Sequence, residues 1–334
     1  LVGSEMCIRD RRNNMSTKIR LSVGFSGKST ELLRKYFDCS DYIDDIYTGG
    51  APIIGSGRIQ YQSSLNTLSE YVNVAHKNKA TLSITLNSPV GIKERNDNDW
   101  WEKIKAYLLS LEDIGVDKII ASHPFLISTV KMHTKMKVVA STISEISNAR
   151  SAKYYEDFGA DIIVPSTNIN FDIEELKRIR SVLKEAEIKL LANEVCLGNC
   201  PWRKFHHNYI SSTRQAGTDS DYAMMCSQKY ITHPHLFLTN NAIRPEDLGK
   251  YNGITNYFKL TGRSVSEDVI LKMIRIYSNG YYDGNYLDFL DERFASKFYI
   301  PNELLSDLHF HKNMCKKNCE DCGYCKNLYD NIIK

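Results

Sequence analysis

The sequence lacks the features that mark membrane proteins or strongly charged nucleic-acid-binding proteins. It has no run of eighteen apolar residues, which argues against a membrane-spanning helix. Its 43 basic and 40 acidic residues leave a net charge of +3, so no field of the whole protein favours an anionic partner. The first fourteen residues, LVGSEMCIRDRRNN, lack the apolar segment of a signal peptide. We therefore expect a cytoplasmic globular protein that begins at Met15, with a non-native leader over residues 1–14.

Motifs for hydrolysis and for nucleotide binding are also missing. Neither a Ser-His-Asp order nor the H-E-x-x-H pattern of zinc peptidases stands out. The stretch SVGFSGKST resembles a phosphate-binding loop, but Ser22 stands where the first glycine of that loop is needed. A glycine-containing turn capped by Ser29 or Thr30 explains the stretch instead.

From Lys18 onward, short apolar runs rich in β-branched residues alternate with stretches of helical period, which is typical of βαβ architecture. Two of the helical stretches end at Gly115 and Gly159, which suit a helix C-cap. The apolar runs predict eight strands, at 19–25, 43–50, 80–87, 116–122, 137–142, 160–166, 188–195 and 257–263. Eight is the count of a closed barrel, so we predict an α/β fold of the (β/α)8 TIM type, with a doubly wound open sheet as the alternative.

The same pattern predicts how the chain is divided. A barrel domain is expected over residues 15–290, with an insertion after the seventh strand at about residues 196–256. Residues 291–334 follow as a C-terminal extension that is rich in aromatic residues and cysteines and packs on the barrel.

The stretch NEVCLGNCPWRKFHH, residues 193–207, collects side chains that bind metals or transfer protons. It directly follows the seventh predicted strand, and in such barrels the loops after the carboxyl ends of the strands build the active site. We therefore predict Glu194 and His206 as catalytic residues and His207 as a substrate-binding residue.

Cys196 and Cys200 of this stretch can bind one metal centre if the residues between them turn tightly, which Gly198 permits. Cys226 lies further along the chain. Three interpretations remain: ligands of an iron-sulfur cluster, a zinc site completed by one of the two histidines, or buried unreactive cysteines.

The extension contains the stretch CKKNCEDCGYC, whose cysteine spacing is the strongest indication of a metal site in the sequence. Four thiolates so close together would repel one another if unligated, and four is the count for a tetrahedral zinc ion or a 4Fe-4S cluster. The first three cysteines also match the C-x3-C-x2-C of radical-SAM enzymes, but that motif normally follows the first strand of a barrel. The predicted metal ligands of the extension are Cys315, Cys319, Cys322 and Cys325.

Three further residues are predicted at the barrel mouth, Arg263 as a catalytic residue and Arg203 and Tyr47 as substrate-binding residues. Arg263 ends the last predicted strand, Arg203 lies in the cysteine loop, and Tyr47 lies near the end of the second strand. Two guanidiniums at the mouth could clamp a carboxylate or phosphate of a substrate. The alternative for either arginine is a structural salt bridge, such as Arg263 with Glu194.

The stretches NEVCLGNCPWRKFHHNYIS, IRPEDLGKYNGITNYFKLTGR and IYSNGYYDGN resemble the peptidase U-32 family, also called the collagenase-like peptidase family. The resemblance runs from Lys18 to about Leu290. It implies a barrel that carries a 4Fe-4S cluster. It also implies oxygen-independent hydroxylation of RNA or of a quinone precursor, with prephenate as the anionic oxygen donor and, in some members, a partner subunit of the same family.

Carried over residue by residue, the resemblance implies that Cys196, Cys200 and Cys226 are cluster ligands, and that Glu194 and Arg263 lie near the cluster. The family's fourth cysteine follows an Asp-Leu pair, whereas Gly249 follows that pair here. The extension could supply the fourth ligand or hold a second cluster or a zinc ion.

The leading hypothesis is therefore an iron-sulfur redox enzyme that modifies RNA or a small aromatic metabolite. A peptidase is the first alternative. The second is a zinc-stabilised module that binds nucleic acid or protein.

Overall fold

The computed structural model describes residues 18–27, 29–50, 54, 63–213, 221–262 and 265–333. Its parallel strands form one sheet that curves into a nearly closed barrel. The strands are β1 (Arg20–Gly24), β2 (Ile43–Gly49), β3 (Thr81–Leu86), β4 (Lys118–Ala121), β5 (Lys137–Ala140), β6 (Ile162–Ile163), β7 (Glu187–Ile188), β8 (Leu190–Leu191) and β9 (Tyr257–Leu260).

The order of neighbouring strands confirms the TIM-type barrel. Each strand from β1 to β6 pairs in parallel with the next along the chain, and β1 also pairs with β9. The two ends of the sheet, β7 and β8, are separated by Lys189 alone. The nine strands therefore fill eight barrel positions, without the reversal of strand order that a doubly wound sheet would show.

The seventh predicted strand, residues 188–195, differs from expectation because it is broken into two short pieces. β7 pairs with β6 on one side, and β8 pairs with β9 on the other. The backbone N–H of Lys189 still donates to the carbonyl of Ile163 at 2.9 Å, so the change of partner occurs just after this residue. The rest of the predicted strand continues as the loop that carries the cysteines.

Helices surround the barrel and extend beyond it. The described residues form α1 (Thr30–Cys39), α2 (Leu65–Lys77), α3 (Asn98–Asp113), α4 (Pro124–His133), α5 (Ala149–Asp157), α6 (Ile173–Val182), α7 (Arg203–Thr213), α8 (Asp221–Thr232), α9 (Glu267–Asn279), α10 (Glu292–Ala295), α11 (Leu308–Asn313), α12 (Cys319–Cys322) and α13 (Tyr324–Ile332). Short 3-10 segments lie at Thr142–Ser144, Thr167–Ile169, Pro234–Thr239, Pro245–Tyr251, Tyr286–Phe289 and Asn302–Leu305.

The local signals in the sequence explain several helix ends. The hydroxyl of Ser29 accepts from the N–H of Leu32 at 3.1 Å, which caps α1. Gly115 and Gly159 follow α3 and α5 with φ of 87° and 106°, a left-handed conformation that glycine adopts without strain. Both predicted C-cap glycines are therefore in place.

The hydrophobic core lies mainly between the barrel and its ring of helices. Alternation along each strand sends one side chain outward and the next inward, as at Ile119 and Ile120 of β4. The outward residues join one large cluster, which also contains Phe294 and Leu308 of the extension. The predicted domain boundary at residue 290 remains a prediction, but both sides of it contribute to the same core.

The barrel interior holds a buried charge cluster. Asp45, which is fully buried, contacts Lys189 at 3.1 Å and Lys118 at 3.4 Å. The hydroxyls of Ser22 and Ser83 each donate to its carboxylate at 2.6 Å. Burial alone would raise the pKa of Asp45, but the two lysines and the two hydroxyls together hold it below its usual range.

No helix in the described part of the chain is long and apolar enough to cross a membrane.

Candidate functional site

The predicted mouth of the barrel brings together three loops and the first turn of α7. Glu145 follows β5, Ser166 follows β6 and Glu194 follows β8, while Arg203 begins α7. The side-chain amide of Asn193 donates to the carbonyl of Thr261 at 2.9 Å, and its carbonyl oxygen accepts from the N–H of Thr261 at 2.7 Å. This pair of bonds fixes the start of the cysteine loop to the end of β9.

Arg203 lies at the centre of a buried ion cluster. One terminal nitrogen contacts Glu194 Oε2 at 3.1 Å, and the other contacts a carboxylate oxygen of Glu145. The hydroxyl of Ser166 donates to the second oxygen of Glu145 at 2.5 Å. Burial by itself would lower the pKa of Arg203, but Glu194, the thiol of Cys196 and Glu145 raise it above its usual range.

This geometry bears on the predicted substrate contact of Arg203. Both terminal nitrogens are engaged by protein carboxylates, and Nε has no hydrogen-bond partner among the residues described. A substrate anion would therefore meet Nε or displace Glu145, whose side chain is 33% exposed. The role of Arg203 in substrate binding stays a prediction. Arg263, the second predicted arginine, lies outside the described residues.

The cysteine loop is held in a tight turn. The N–H of Cys200 donates to the carbonyl of Leu197 at 3.2 Å, and Asn199 has φ of 53°. Gly198 packs against the carbonyl oxygen of Thr239, which a Cβ would approach to 2.2 Å. Only glycine fits at this position without a shift of the backbone.

The three barrel cysteines lie in one region and are half-buried. The pKa of Cys226 is raised by burial and by the nearby thiol of Cys200. Its Sγ donates to the carbonyl of Ala223 at 3.3 Å, one turn earlier in α8. Tyr230, whose hydroxyl donates to the carbonyl of Val195 at 2.7 Å, is close enough to Cys196 and Cys226 for their charges to raise its pKa beyond the effect of burial.

Among the residues described, the cysteine side chains are not arranged as the ligands of one metal centre. In the ranges described above, no three His, Cys, Asp or Glu side chains are placed to hold a metal ion. The three barrel thiols match an iron-sulfur or zinc site in donor type, and binding would require their side chains to move closer together.

The two histidines of α7 differ in burial and in surroundings. His207 is buried, while His206 is half-buried and stacks on Tyr222 with ring centroids 5.6 Å apart. The two histidine rings are nearly parallel, at 6.4 Å. Their predicted roles in catalysis and substrate binding stay predictions.

Tyr47 lies inside the barrel. It is buried, and its hydroxyl donates to the carbonyl of Leu260 at 2.9 Å. The ammonium of Lys259 lies 3.9 Å from the centre of its ring, a cation–π contact. The predicted substrate contact of Tyr47 stays a prediction, and any such contact would involve a side chain anchored to β9.

The cysteines of the extension form a second thiol group. Cys315, Cys319 and Cys322 are exposed, and Cys325 is half-buried. Burial raises the pKa of Cys325 to about 11, with Lys312 opposing and the three other thiols adding to the rise. The Sγ of Cys325 lies 3.9 Å from the carbonyl oxygen of Leu238.

Sequence reasoning missed Glu145. It follows the fifth strand at the barrel mouth and has φ of 52°, which is uncommon for a residue other than glycine. Its place just after a barrel strand could have pointed to it. Its contact with Arg203 joins residues 58 apart in the chain, which no local pattern reveals.

A cleft of about 600 Å³ lies at the opposite, amino end of the barrel. Its charged lining is balanced in sign, since Arg20, Lys118, Lys135 and Lys137 face Asp44, Glu112, Asp117 and Glu187. None of the residues predicted for the site lines this cleft.

The model of Peptidase family U32 matches residues 37–281, which is more than half of the 334 residues. The chain belongs to the U32 family. This confirms the resemblance drawn from the cysteine and arginine stretches.

Two similar proteins accompany this assignment. The Uncharacterized protease MJ1657 of Methanocaldococcus jannaschii is 28% identical over 305 residues, which cover 87% of this chain and 89% of that protein. The solved structure of the U32 peptidase Mk0906 superposes with a TM-score of 0.56 at 18% identity, covering 74% of this chain and 93% of that one. At this identity the second likeness supports the fold alone.

Proposed function

We propose that this U32 protein is an iron-sulfur redox enzyme that carries out oxygen-independent hydroxylation or a related modification of RNA or a small aromatic metabolite. One observation carries the proposal. A buried guanidinium, Arg203, lies beside the thiol of Cys196 at the carboxyl end of the barrel and is held there by two carboxylates.

Glu194 links the ion cluster to the cysteine loop. Its Oε2 accepts from Arg203, and its Oε1 lies 3.4 Å from the backbone N–H of Cys196, which donates to it. One buried carboxylate thus orients both the cation and the peptide of a predicted ligand. A fixed positive charge next to a thiol favours the thiolate, which is the form that binds metals.

The donor types support a cluster at this place. When bound, a cluster held by Cys196, Cys200 and Cys226 would supply electron transfer or, with an open iron, a Lewis acid. Binding would require Cys226 to give up its hydrogen bond to Ala223. The residues around the cluster would bind a small anion such as prephenate and exclude water, and the fourth ligand is left unassigned.

Iron and acid-labile sulfide analysis of protein purified without oxygen tests this proposal. Changing Cys196, Cys200 or Cys226 to Ser should each remove about four irons per chain, the content of one cluster. The matched control is Cys39→Ser, because Cys39 is also a half-buried free thiol but ends α1, away from the mouth. Full iron content in all three variants would overturn the cluster assignment.

A peptidase is the second candidate, and the name of the Methanocaldococcus jannaschii relative, an uncharacterized protease, is consistent with it. Peptide cleavage by the wild-type protein that survives removal of iron, but is lost in Glu194→Gln, would support it over the redox reaction. Absence of cleavage in the presence and absence of iron would remove it.

A further inference from the structure

We propose that the cysteines of the extension form a separate tetrathiolate metal site, for a zinc ion or an iron-sulfur cluster, that fastens the end of the chain to the barrel mouth. The site is made by Cys315, Cys319, Cys322 and Cys325, and it does not depend on the cluster proposed above.

The backbone arranges the four cysteines around one short bend. Cys319 and Cys322 are the two ends of α12 and lie three residues apart, the spacing that puts side chains on one helix face. Two left-handed residues, Lys317 with φ of 62° and Gly323 with φ of 60°, turn the chain on either side of this helix. The first turn lies between Cys315 and α12, and the second lies between α12 and Cys325.

A backbone hydrogen bond to sulfur is already present. The N–H of Lys317 donates to the Sγ of Cys315 at 3.3 Å. Such a bond stabilises a thiolate, because charged acceptors form the stronger hydrogen bonds.

The thiols of the extension lie close enough to act on one another. The charges that act on Cys325 come from Lys312 and the three other thiols of the extension, whereas Cys226 of the barrel responds to Cys200 and Arg293. The chain therefore has two thiol groups, each with its own neighbours. Because three of the four thiols in the extension are exposed, their side chains are free to rotate onto a metal ion.

The extension is attached to the rim of the mouth by its own contacts. The side-chain oxygen of Asn313 lies 3.4 Å from the N–H of Ile173, which donates to it. The rings of His311 and Tyr324 stack with centroids 3.8 Å apart, which joins α11 to α13. Lys312 donates to the carbonyl of Asn240, and its ammonium lies 4.5 Å from the ring of Phe171.

Asn168 links the extension to the cysteine loop. Its carbonyl accepts from the ammonium of Lys317 at 3.5 Å, and its side-chain oxygen accepts from the N–H of Asn199 at 3.2 Å. A metal that orders the bend around Lys317 would therefore also restrict the loop between Cys196 and Cys200. We infer that metal binding orders the extension, and that the ordered extension holds the cysteine loop in place at the mouth.

The decisive experiment compares metal content in the full-length wild-type protein with two double variants. Cys319→Ser with Cys322→Ser should remove one zinc, or the iron and sulfide of one cluster, while Cys196→Ser with Cys226→Ser should retain that metal. Loss of zinc identifies a zinc site, and loss of iron with sulfide identifies a cluster. If the wild-type protein carries metal, equal content in the Cys319/Cys322 variant overturns the proposal.

If the protein is isolated without metal, the reduced protein is titrated with Co²⁺. Wild-type protein should develop the absorption of a tetrahedral cobalt thiolate, and the Cys319/Cys322 variant should not. An absent cobalt signal in the wild-type protein overturns the site. Failure of the barrel cluster alone would show instead as metal lost from the Cys319/Cys322 variant and fully retained in the Cys196/Cys226 variant.

Trypsin provides a second readout that does not depend on activity. Without metal, cleavage after Lys316, Lys317 and Lys326 should accelerate roughly tenfold, because a ligand that binds only the ordered state suppresses opening. Cys39→Ser should keep the wild-type rate, and a chelator should speed cleavage of the wild-type protein. An unchanged rate of wild-type cleavage in chelator would show that no bound metal orders the extension.

Discussion

The barrel has two buried charge clusters in which the signs of the central and flanking charges are opposite. Inside the barrel, one carboxylate, Asp45, lies between two lysines, Lys118 and Lys189. At the carboxyl end, one guanidinium, Arg203, lies between two carboxylates, Glu145 and Glu194. The first cluster has one excess positive charge and the second has one excess negative charge.

The difference lies in how completely each central group is satisfied. Both oxygens of Asp45 accept short hydrogen bonds from strand residues, and Asp45 is fully buried. Arg203 keeps an Nε without a partner among the residues described, and Glu145 is partly exposed. The interior cluster is therefore built on regular strands around a buried carboxylate, whereas the cluster at the carboxyl end lies on loops and has one partly exposed carboxylate.

Asp45→Asn should have the largest effect. It leaves Lys118 and Lys189 buried without their counter-charge, and breaking a buried pair in this way costs about 3–5 kcal/mol. Urea unfolding at neutral pH measures the loss. Asp38→Asn, an exposed change in the last turn of α1, is the control and should stay close to the wild-type value. A loss at Asp45 as small as the control would mean that the interior lysines are not charged.

Arg203→Met should cost less, about 2–4 kcal/mol, because only Glu194 of its two carboxylates is fully buried. The same variant should weaken metal binding at Cys196, since the thiolate loses its neighbouring cation. Lys204→Met, an exposed change at the next position, is the matched control. Equal stability and equal metal content in both variants would remove Arg203 from the site.

The stabilities of Asp45→Asn and Arg203→Met should change with pH in opposite directions. Burial lowers the pKa of Lys189 to about 8 even beside Asp45. Asp45→Asn removes the charge that raises this pKa, so Lys189 should titrate below 8, and the stability deficit relative to the wild-type protein should shrink as the pH rises to about 8. In Arg203→Met the buried Glu194 should take up a proton, so stability should recover as the pH falls towards 5.

Each recovery should be on the order of 1 kcal/mol for every pH unit that separates the pKa of the folded chain from that of the unfolded chain. Urea unfolding at several pH values, with each variant compared to the wild-type protein, checks both signs. Recovery of the two variants in the same direction would contradict the opposite charge arrangement of the two clusters.

Replacing one serine in each cluster by alanine should give the smallest losses of stability, and their order tests the comparison most directly. Ser83→Ala removes a 2.6 Å bond to the fully buried Asp45, and Ser166→Ala removes a 2.5 Å bond to the partly exposed Glu145. We expect a loss of about 1–2 kcal/mol for the first and less than about 1 kcal/mol for the second, because water can replace the lost donor only at Glu145. The reverse order would show that the mouth is the better-sealed cluster.

The sequence predicted the barrel because strand and helix periods alternate along the chain, and parallel strands place their carboxyl ends at one mouth. The break at Lys189 was not predictable, since the apolar run around it continues while its pairing partner changes. The position of the cysteine loop at the mouth followed from the strand before it. The contact of Glu145 with Arg203 did not, because only the folded barrel brings two loops so distant in the chain together.

The pairing of β1 with β9 has a consequence for how the chain folds as it is made. Between Arg20 and Tyr257 the ribosome must add more than two hundred residues, which takes on the order of 10–50 s at roughly 5–20 residues per second. Throughout that time β2 can cover only one edge of β1, and the other edge is open to pairing with the wrong strand. Asp45 meets Lys118 early in synthesis and Lys189 much later, so the barrel remains open and vulnerable to aggregation until β9 emerges.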